Sequence, residues 1–333
     1  MAYERGIGVK VKFSPITFGI RHLRMAGEGD ESMGNILTIL NENFDIHFDR
    51  IDLLRDMGST SYSVFSGGNK YFLRVIKPAL YDTAMIGADI QLFLQNQGFS
   101  VPPIFVSKYG MPYVKTDTAL IILYAFIDGC DVDPVQDAEH IGALVGALHQ
   151  AMKAYPGELL KRDKQFYIGR YIGILRDKKY TRISEYIEYG EALWRKIKDL
   201  PQGYCHGDMY DGNIRKTTDG KLYIHDFDTS CHGIKMYDPT LICDMTKYFE
   251  FEERNYNRSN EILARFMPHY VTYNALCQEE MDAFPALIAV QHFSTQATIM
   301  EIFGLDCIGE ADMDNQLDWL YKWRRQLDAA QQF

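Results

Sequence analysis

Three polar side chains in one short stretch have the types and spacing that transfer of a phosphoryl group requires. Asp208 lies in a loop that follows Cys205, and Asn213 comes after four further residues. Asp226 ends a second strand-like run. A carboxylate beside an incoming hydroxyl can accept its proton, and Mg²⁺ beside the phosphates prefers oxygen ligands. We therefore expect Asp208 to face an acceptor hydroxyl, and Asn213 and Asp226 to bind a metal ion.

A β-hairpin is predicted between the two metal-binding candidates. Residues 214–216 and 221–225 read as strands, and the turn between them contains Asp-Gly, which supplies the positive φ angles of tight hairpins. The hairpin would return Asn213 and Asp226 to the same end. Each piece alone would be read as an ordinary turn, but the whole set in this order favours a functional site.

The run H-G-D-x-x-x-x-N, followed by I-H-D-F-D, resembles the aminoglycoside phosphotransferase and choline kinase superfamily. Type II homoserine kinases and bacterial stress-response kinases are similar. The match is strong over residues 205–228 and weaker over 33–150. The resemblance implies an α+β, two-lobed protein-kinase-like fold with a small β-rich N-lobe and a larger, mostly helical C-lobe. It also implies ATP and Mg²⁺ as cofactors, with His206 bracing the loop and Asp228 supporting the metal site without binding the metal directly.

The resemblance divides the chain into an N-lobe over residues 33–127, which binds nucleotide, and a C-lobe over 128–333, which carries the catalytic loop and the acceptor site. Residues 1–32 are predicted to be an N-terminal extension. Residues 27–31 would be encoded by purine-rich codons, as in a ribosome-binding site translated by mistake, so Met33 is the predicted natural start. The alternative is a genuine extension that packs on the N-lobe.

Gly58 and Ser59 lie between two strand-like runs, where a kinase N-lobe has its phosphate-covering loop. Small residues there let backbone N–H groups approach phosphate. The pattern G-x-G-x-x-G is absent, and a plain hairpin turn is the competing interpretation.

Arg74 stands in a strand where the superfamily carries a lysine that contacts nucleotide phosphates. Arginine is always charged and can contact phosphate with two hydrogen bonds, so the role can be kept. Kinase folds pair this cation with a helical glutamate. The helix predicted over residues 83–97 contains no Glu, and Asp89 is its nearest acid, with a solvated Asp as the alternative. The hinge follows at 126–129, so adenine is expected to contact backbone from Ala125 to Ile127.

The C-lobe is predicted to be helical. A tyrosine-rich face within residues 165–200 is typical of core, with a substrate-facing role as the alternative. Asp238-Pro239 fits a helix N-cap followed by proline, and helices are predicted over 239–252, 257–272, 278–303 and 313–331. Five acids in the last helices would suit an amine-bearing acceptor if they lined the pocket; otherwise they are solvated: Glu301, Asp306, Glu310, Asp312 and Asp314.

Composition limits the class of protein. The 333 residues are 47% hydrophobic and 24% charged, as in soluble globular proteins, and a net charge of −10 argues against nucleic-acid binding. Six scattered cysteines indicate reduced thiols in a cytoplasmic protein. The longest apolar run, residues 119–127, is too short to cross a membrane.

These patterns predict an ATP- and Mg²⁺-dependent phosphotransferase that acts on a hydroxyl of a small molecule, such as an amino alcohol, an aminoglycoside or a sugar-like acceptor. One alternative is a protein Ser/Thr kinase of the stress-response type. The other is a non-catalytic, kinase-like structural or regulatory protein, which would not need Asp208, Asn213 and Asp226 together.

Overall fold

The computed structural model describes residues 29–57 and 59–330. Its N-terminal part contains, in chain order, α1 (Gly29–Asn43), β1 (Arg50–Met57), β2 (Ser59–Ser66), β3 (Asn69–Ile76), α2 (Tyr81–Asn96), β4 (Val114–Lys115) and β5 (Leu120–Ala125). The strands form one antiparallel sheet in the order β1-β2-β3-β5-β4.

The two faces of this sheet have different coverings. Helix α1 packs on the outer face through Ile36 and Leu40. Together with Phe44, which follows the helix, they join a buried cluster with residues such as Leu73 and Leu123. Helix α2 packs on the inner face of β3 and β5 through a second buried cluster, made by Ile76, Ala84, Ala88, Ile122 and Tyr124 among others. Strand β5 is continuously apolar because it contributes to both clusters.

The C-terminal part is mostly helical. Its elements are β6 (Cys130–Asp131), α3 (Pro134–Ala151), β7 (Leu160–Lys161), α4 (Arg170–Asp177), α5 (Ile183–Ile197), β8 (Gln202–Cys205), β9 (Ile214–Lys216), β10 (Leu222–Ile224), β11 (Cys231–Ile234), α6 (Tyr237–Cys243), α7 (Arg254–Tyr270), α8 (Gln278–Asp282), α9 (Phe284–Phe303) and α10 (Glu310–Ala330). The short strands form two small sheets, β10-β9-β6 and β7-β11-β8. Both small sheets border the loop that follows β8.

The tyrosine-rich face belongs to the core of the helical part. Its five tyrosines are buried in one large hydrophobic cluster: Tyr167, Tyr171, Tyr180, Tyr186 and Tyr189. Several pack edge to face, for example Tyr171 against Tyr186 with ring centroids 5.2 Å apart. The core interpretation of this pattern is therefore confirmed for these side chains.

The α+β class, with a β-rich N-terminal part and a helical C-terminal part, is confirmed. The predicted hairpin is present as β9 and β10. Residues 1–28 lie outside the described residues, and α1 begins at Gly29, ahead of Met33. None of the helices in the described ranges has both the length and the apolar character needed to span a lipid bilayer.

Two predictions about the C-terminal helices were wrong in detail. The helix expected over 239–252 spans only Tyr237–Cys243, and Asp238 lies inside it instead of capping it. The helix expected over 278–303 is divided into α8 and α9, and Pro285 lies in the first turn of α9. Proline is tolerated in a first helical turn, where its missing N–H has no intrahelical partner.

Candidate active site

Asp208 and Asn213 are joined inside the loop between β8 and β9. Both side chains are buried, with 8% of Asp208 and 2% of Asn213 exposed. Asn213 Nδ2 donates to the backbone oxygen of Asp208 at 2.8 Å and to its carboxylate Oδ2 at 3.0 Å. The amide nitrogen thus fixes the catalytic candidate, and the amide oxygen of Asn213 can serve a metal ion.

Asp238 anchors the start of this loop. Its fully buried carboxylate accepts hydrogen bonds from the backbone N–H of His206 at 2.6 Å and of Gly207 at 2.9 Å. His149 Nε2 lies 2.9 Å from the same carboxylate, and its Nδ1 lies 2.8 Å from the Tyr270 hydroxyl. Charge-assisted hydrogen bonds of this kind hold a loop strongly because both partners are excluded from water. Sequence reasoning missed this role, since Asp-Pro reads locally as a helix start.

His206 is buried beside the hairpin end. Its Nε2 donates to the backbone oxygen of His225 at 3.0 Å, and its own backbone oxygen accepts from Thr229 Oγ1 at 2.9 Å. Burial lowers the pKa of His206 despite the nearby Asp238 carboxylate. A residue held once through its ring and once through its backbone has the geometry of a bracing residue.

Arg162 is a second brace, which the sequence did not indicate. Its Nη1 donates to the backbone oxygen of Gly207 at 3.2 Å, and its Nη2 donates to that of Thr229 at 2.8 Å. One guanidinium therefore links the residue before Asp208 to the turn after Asp226. Its face also covers the Phe166 ring at 4.0 Å, which limits its movement.

Asp226 lies where β10 ends, in the left-handed backbone conformation with φ 67° and ψ 63°. This conformation is uncommon for residues other than glycine, and it is concentrated at functional sites. A hydrogen bond of 3.1 Å from His225 N to Asn213 O closes the hairpin, so Asp226 follows directly beside Asn213. The backbone thus brings both predicted metal ligands to one end, as expected.

The charge on Asp226 is stabilised by neighbouring cations. Burial disfavours the carboxylate, but the Arg74 guanidinium and the nearby histidines outweigh it and lower the pKa of Asp226. Arg74 Nη1 lies 3.3 Å from Asp226 Oδ1, and 43% of the Asp226 side chain remains exposed. An ionised and accessible carboxylate is what a hard cation requires.

Arg74 pairs with Asp228 and not with Asp89. Its Nη1 and Nη2 donate to the two carboxylate oxygens of Asp228 at 3.2 and 2.7 Å. Asp89 makes no ion pair with Arg74 in the ranges that the structure describes, so the expectation for Asp89 was wrong. The acids that hold this cation therefore come from the turn after β10 and not from α2.

Gly87 explains why the turn approaches α2 so closely. A Cβ at this position would lie 2.7 Å from Asp228 Oδ1 and 3.0 Å from Asp228 N, which no side chain could tolerate without a shift. Helix α2 packs directly on residues 227–229 as a result. Glycine here leaves room for an acid that comes from another part of the chain.

Asp208 has an unusual affinity for its proton. Burial raises the pKa of Asp208 to about 7, and the negative charge of Asp226 adds to the effect, while the hydrogen bond from Asn213 opposes it. A carboxylate with a pKa near neutrality is suited to accept a proton and to release it again. Nothing in the sequence spacing indicated this property.

The remaining nucleotide candidates that the structure describes lie at the start of β2, at the end of β5 and in the connection after β5. Gly58 lies outside the described residues; Ser59 begins β2, and a hydrogen bond of 2.9 Å from Thr60 Oγ1 to Asp56 Oδ1 joins the two strands there. Ala125 ends β5, and Ile127 follows it in the connection to β6. Lys70 Nζ lies 3.7 Å above the Phe126 ring and fixes the first hinge residue.

Asn213 and Asp226 fit a magnesium ion that arrives with phosphates. The described residues contain no group of three or more His, Cys, Asp or Glu side chains that could hold a metal by themselves. Mg²⁺ commonly keeps several waters and is bound through one or two carboxylates plus substrate phosphates. A site with one carboxylate and one amide oxygen suits that mode of binding.

Comparison with known proteins gives one family and several relatives. The family model described as "Phosphotransferase enzyme family" matches residues 55–270. Homoserine kinase of Rhizobium meliloti (strain 1021) is 23% identical over 266 residues, which cover 70% of this chain and 76% of that protein.

Among solved structures, an amicoumacin kinase in complex with AMP-PNP and Ca²⁺ has a TM-score of 0.71 at 17% identity, and the match covers 89% of this chain and 94% of that one. A microcompartment-associated aminopropanol kinase has a TM-score of 0.70 at 14% identity, with 89% and 98% covered. At such identities the structural likeness shows the fold.

Proposed function

We propose that this chain, which belongs to the phosphotransferase enzyme family, transfers the γ-phosphoryl group of ATP to a hydroxyl of a small molecule with the help of Mg²⁺. The family makes it an enzyme, a kinase with an alcohol group as acceptor. One observation carries the finer proposal: Asp208, Asn213 and Asp226 meet at one end of a hairpin, beside a cation from the sheet. Asp208 supplies a carboxylate for the acceptor hydroxyl, and Asn213 and Asp226 supply oxygen ligands for the metal ion.

Asp208 is the group that we assign to the acceptor. Asn213 engages one oxygen of its carboxylate, and we assign the other oxygen to the acceptor hydroxyl. The carboxylate orients that hydroxyl and takes its proton as the new P–O bond forms, while the bond from the γ-phosphorus to the bridging oxygen breaks and ADP leaves. Because the transition state is loose, orientation contributes more than early proton removal.

Asn213 and Asp226 would hold Mg²⁺, which supplies neutralisation of the charge that develops on the phosphate oxygens. Asp228 has a different role in this proposal, since both of its oxygens accept from Arg74. It orients the guanidinium that contacts the phosphates. The hydrogen bonds of His206, Arg162 and Asp238 fix the position of the loop after β8 relative to the turn after β10.

An amino alcohol is the acceptor class that we favour. Relatives are named for aminopropanol and homoserine, and both names denote small molecules with an amine and a hydroxyl. The acids of the last helices do not supply the amine site in this proposal. Glu301 pairs with Arg170, and Asp314 accepts from Tyr180 and Arg182, so these carboxylates are already engaged.

The test is a panel of acceptors with the full chain. Amino alcohols, aminoglycosides and sugars are added with Mg²⁺ and a non-hydrolysable ATP analogue, and the unfolding temperature is recorded; hits are then assayed for ATP consumption and for the phosphorylated product. We expect an amino alcohol to raise the unfolding temperature and to be phosphorylated. Phosphorylation of serine or threonine in a protein, or tight nucleotide binding without turnover on any acceptor, would contradict the proposal.

A further inference from the structure

The pairing of β1 with β2 is irregular beside the nucleotide site. Leu53 pairs with Tyr62, but the next pair is Arg55 with Ser61, so Leu54 is an extra residue in β1. Successive side chains in a strand point to opposite faces, and one extra residue reverses the faces of all that follow. The bulge therefore moves Arg55 from the outer face of the sheet to the inner face.

Arg55, Ser61 and Arg74 lie in one row across three strands. Ser61 pairs with Arg55 on one side and with Arg74 on the other, and side chains of directly paired residues share a face. The Arg74 guanidinium contacts Asp226 and Asp228, so this face is directed at the catalytic turn. Arg55 lies on β1 and Arg74 on β3, with β2 between them, so their backbones are about 10 Å apart. One triphosphate can bridge that distance.

Arg55 is exposed, and its guanidinium makes no hydrogen bond or ion pair with another residue of the described ranges. Arg50, earlier on the same face of β1, is different: it pairs with Asp52 at 3.3 Å and covers the Phe65 ring at 3.7 Å. Arg55 is thus a cation directed at the site without a local partner.

A second observation points to a ligand on this face. Ser63 lies in the neighbouring row, paired with Phe72, and only 2% of it is exposed. Its hydroxyl has no hydrogen-bond partner in the described part of the chain. Buried hydroxyls are nearly always paired, so Ser63 leaves one polar group unsatisfied next to the Arg55 row.

The charges at the site also call for another cation. Asp226 and Asp228 both lie there, and Arg74 is already engaged by both of these acids. A triphosphate adds several negative charges, of which one Mg²⁺ neutralises two. Without a further cation, the phosphates would face uncompensated carboxylates.

We propose that Arg55 is a second phosphate-binding residue, which the bulge at Leu53–Leu54 directs onto the terminal phosphates of the nucleotide from β1 while Arg74 contacts them from β3. This inference rests on the proposed use of ATP. It would make the enzyme selective for nucleotides with two or three phosphates, since AMP lacks the β- and γ-phosphates that Arg55 would contact.

The experiment compares Arg55→Gln and Arg55→Lys with the wild type, and uses Arg50→Gln as the matched control on the same strand and face. Calorimetry gives the Kd of each for ATP with Mg²⁺, for AMP and for adenosine. We expect Arg55→Gln to weaken ATP binding about tenfold, the size of one charge-assisted contact, with partial recovery in Arg55→Lys. AMP and adenosine should bind as in the wild type, and Arg50→Gln should change nothing.

Two results would overturn the inference alone: wild-type ATP affinity in Arg55→Gln, or equal weakening of ATP and adenosine, which would indicate a structural effect on the sheet. Thermal unfolding of each variant checks that the fold is kept. Failure of the wild type to bind ATP would overturn the proposed function and this inference with it, so the two failures can be told apart.

Discussion

The Arg74 guanidinium holds the Asp228 carboxylate through two hydrogen bonds, of 3.2 and 2.7 Å, across 154 residues of sequence. The same guanidinium lies 3.3 Å from Asp226, the proposed metal ligand. One cation of the sheet is therefore shared between an acid that orients it and an acid that would bind metal. The proposed nucleotide clamp and the proposed metal site are therefore coupled through this turn.

Asp228→Asn tests that coupling. With Asp228 neutral, Arg74 loses its main partner, and its remaining attraction is to Asp226, where it competes with Mg²⁺. We expect kcat/KM for ATP to fall about tenfold, with a larger requirement for Mg²⁺. Asp89→Asn is the matched control, and steady-state kinetics at several Mg²⁺ concentrations provide the measurement. A greater loss in Asp89→Asn than in Asp228→Asn would restore the helix acid as the partner of Arg74.

Asp226→Asn tests the metal site. The change removes a charged oxygen ligand, so nucleotide binding should lose its dependence on Mg²⁺ while the fold is kept. Asp219→Asn, in the turn of the same hairpin, makes the same chemical change away from the site and should bind as the wild type does. The affinity of each variant for ATP is measured by calorimetry with and without Mg²⁺. Unchanged affinity for ATP with Mg²⁺ in Asp226→Asn would rule out its role as a ligand.

A chain that starts at Met33 should fold and bind nucleotide like the full chain. It keeps the apolar residues that pack on the sheet from α1 and just after it, including Ile36, Leu40 and Phe44. A chain that starts at Asn41 is the control, since it loses two of these three and should unfold at a much lower temperature. Thermal unfolding and ATP affinity are measured for both. If the Met33 chain aggregates or binds nucleotide poorly, the first 32 residues are structural.

Buried His292 predicts a pH dependence of stability. Burial lowers the pKa of His292 to about 4, although its contact with Gln316 opposes the shift, and the ring stacks on Trp319 at 3.7 Å. In the unfolded chain the imidazole takes up a proton near pH 6.5, whereas in the folded chain it does so only near pH 4. The free energy of unfolding therefore contains the full contribution of His292 above pH 6.5 and loses it as the pH falls toward 4. The loss amounts to about 3 kcal/mol.

Urea unfolding at intervals from pH 7 to pH 4 measures this contribution. His292→Asn should reduce the slope of the free energy of unfolding against pH, and the exposed His47→Asn should leave it unchanged. A residual slope is expected, because burial also lowers the pKa of His225 to about 4. Equal slopes in wild type and His292→Asn would contradict the assignment of the protonation to His292.

Local patterns were sufficient to predict the loop and the hairpin. Asp208, Asn213 and Asp226 are placed by a tight turn and two short strands, whose signals lie within a few residues of each other. Arg74 was found by its position in a strand. Helical periodicity also predicted the tyrosine core correctly, since buried aromatic stripes recur at helical spacing.

Contacts between distant segments could not be predicted in this way. The partner of Arg74 depends on how closely α2 packs at Gly87, which one sequence does not reveal. Asp238 looks locally like a helix cap, and only the tertiary fold places His206 N and Gly207 N beside it. The bulge that turns Arg55 inward is at Leu54, and the adjacent pair Leu53-Leu54 gives no sign of a change in register.

Asp208→Ala tests the central claim most directly. If Asp208 acts on the acceptor and not on ATP, the variant should bind ATP with Mg²⁺ about as tightly as the wild type, while turnover of an identified acceptor falls by about 10²–10⁴. The measurement is product formation under saturating ATP, alongside calorimetric ATP affinity for both proteins. That separation of intact binding from lost turnover is the predicted result. Equal turnover in the variant and the wild type would contradict the account and remove Asp208 from catalysis.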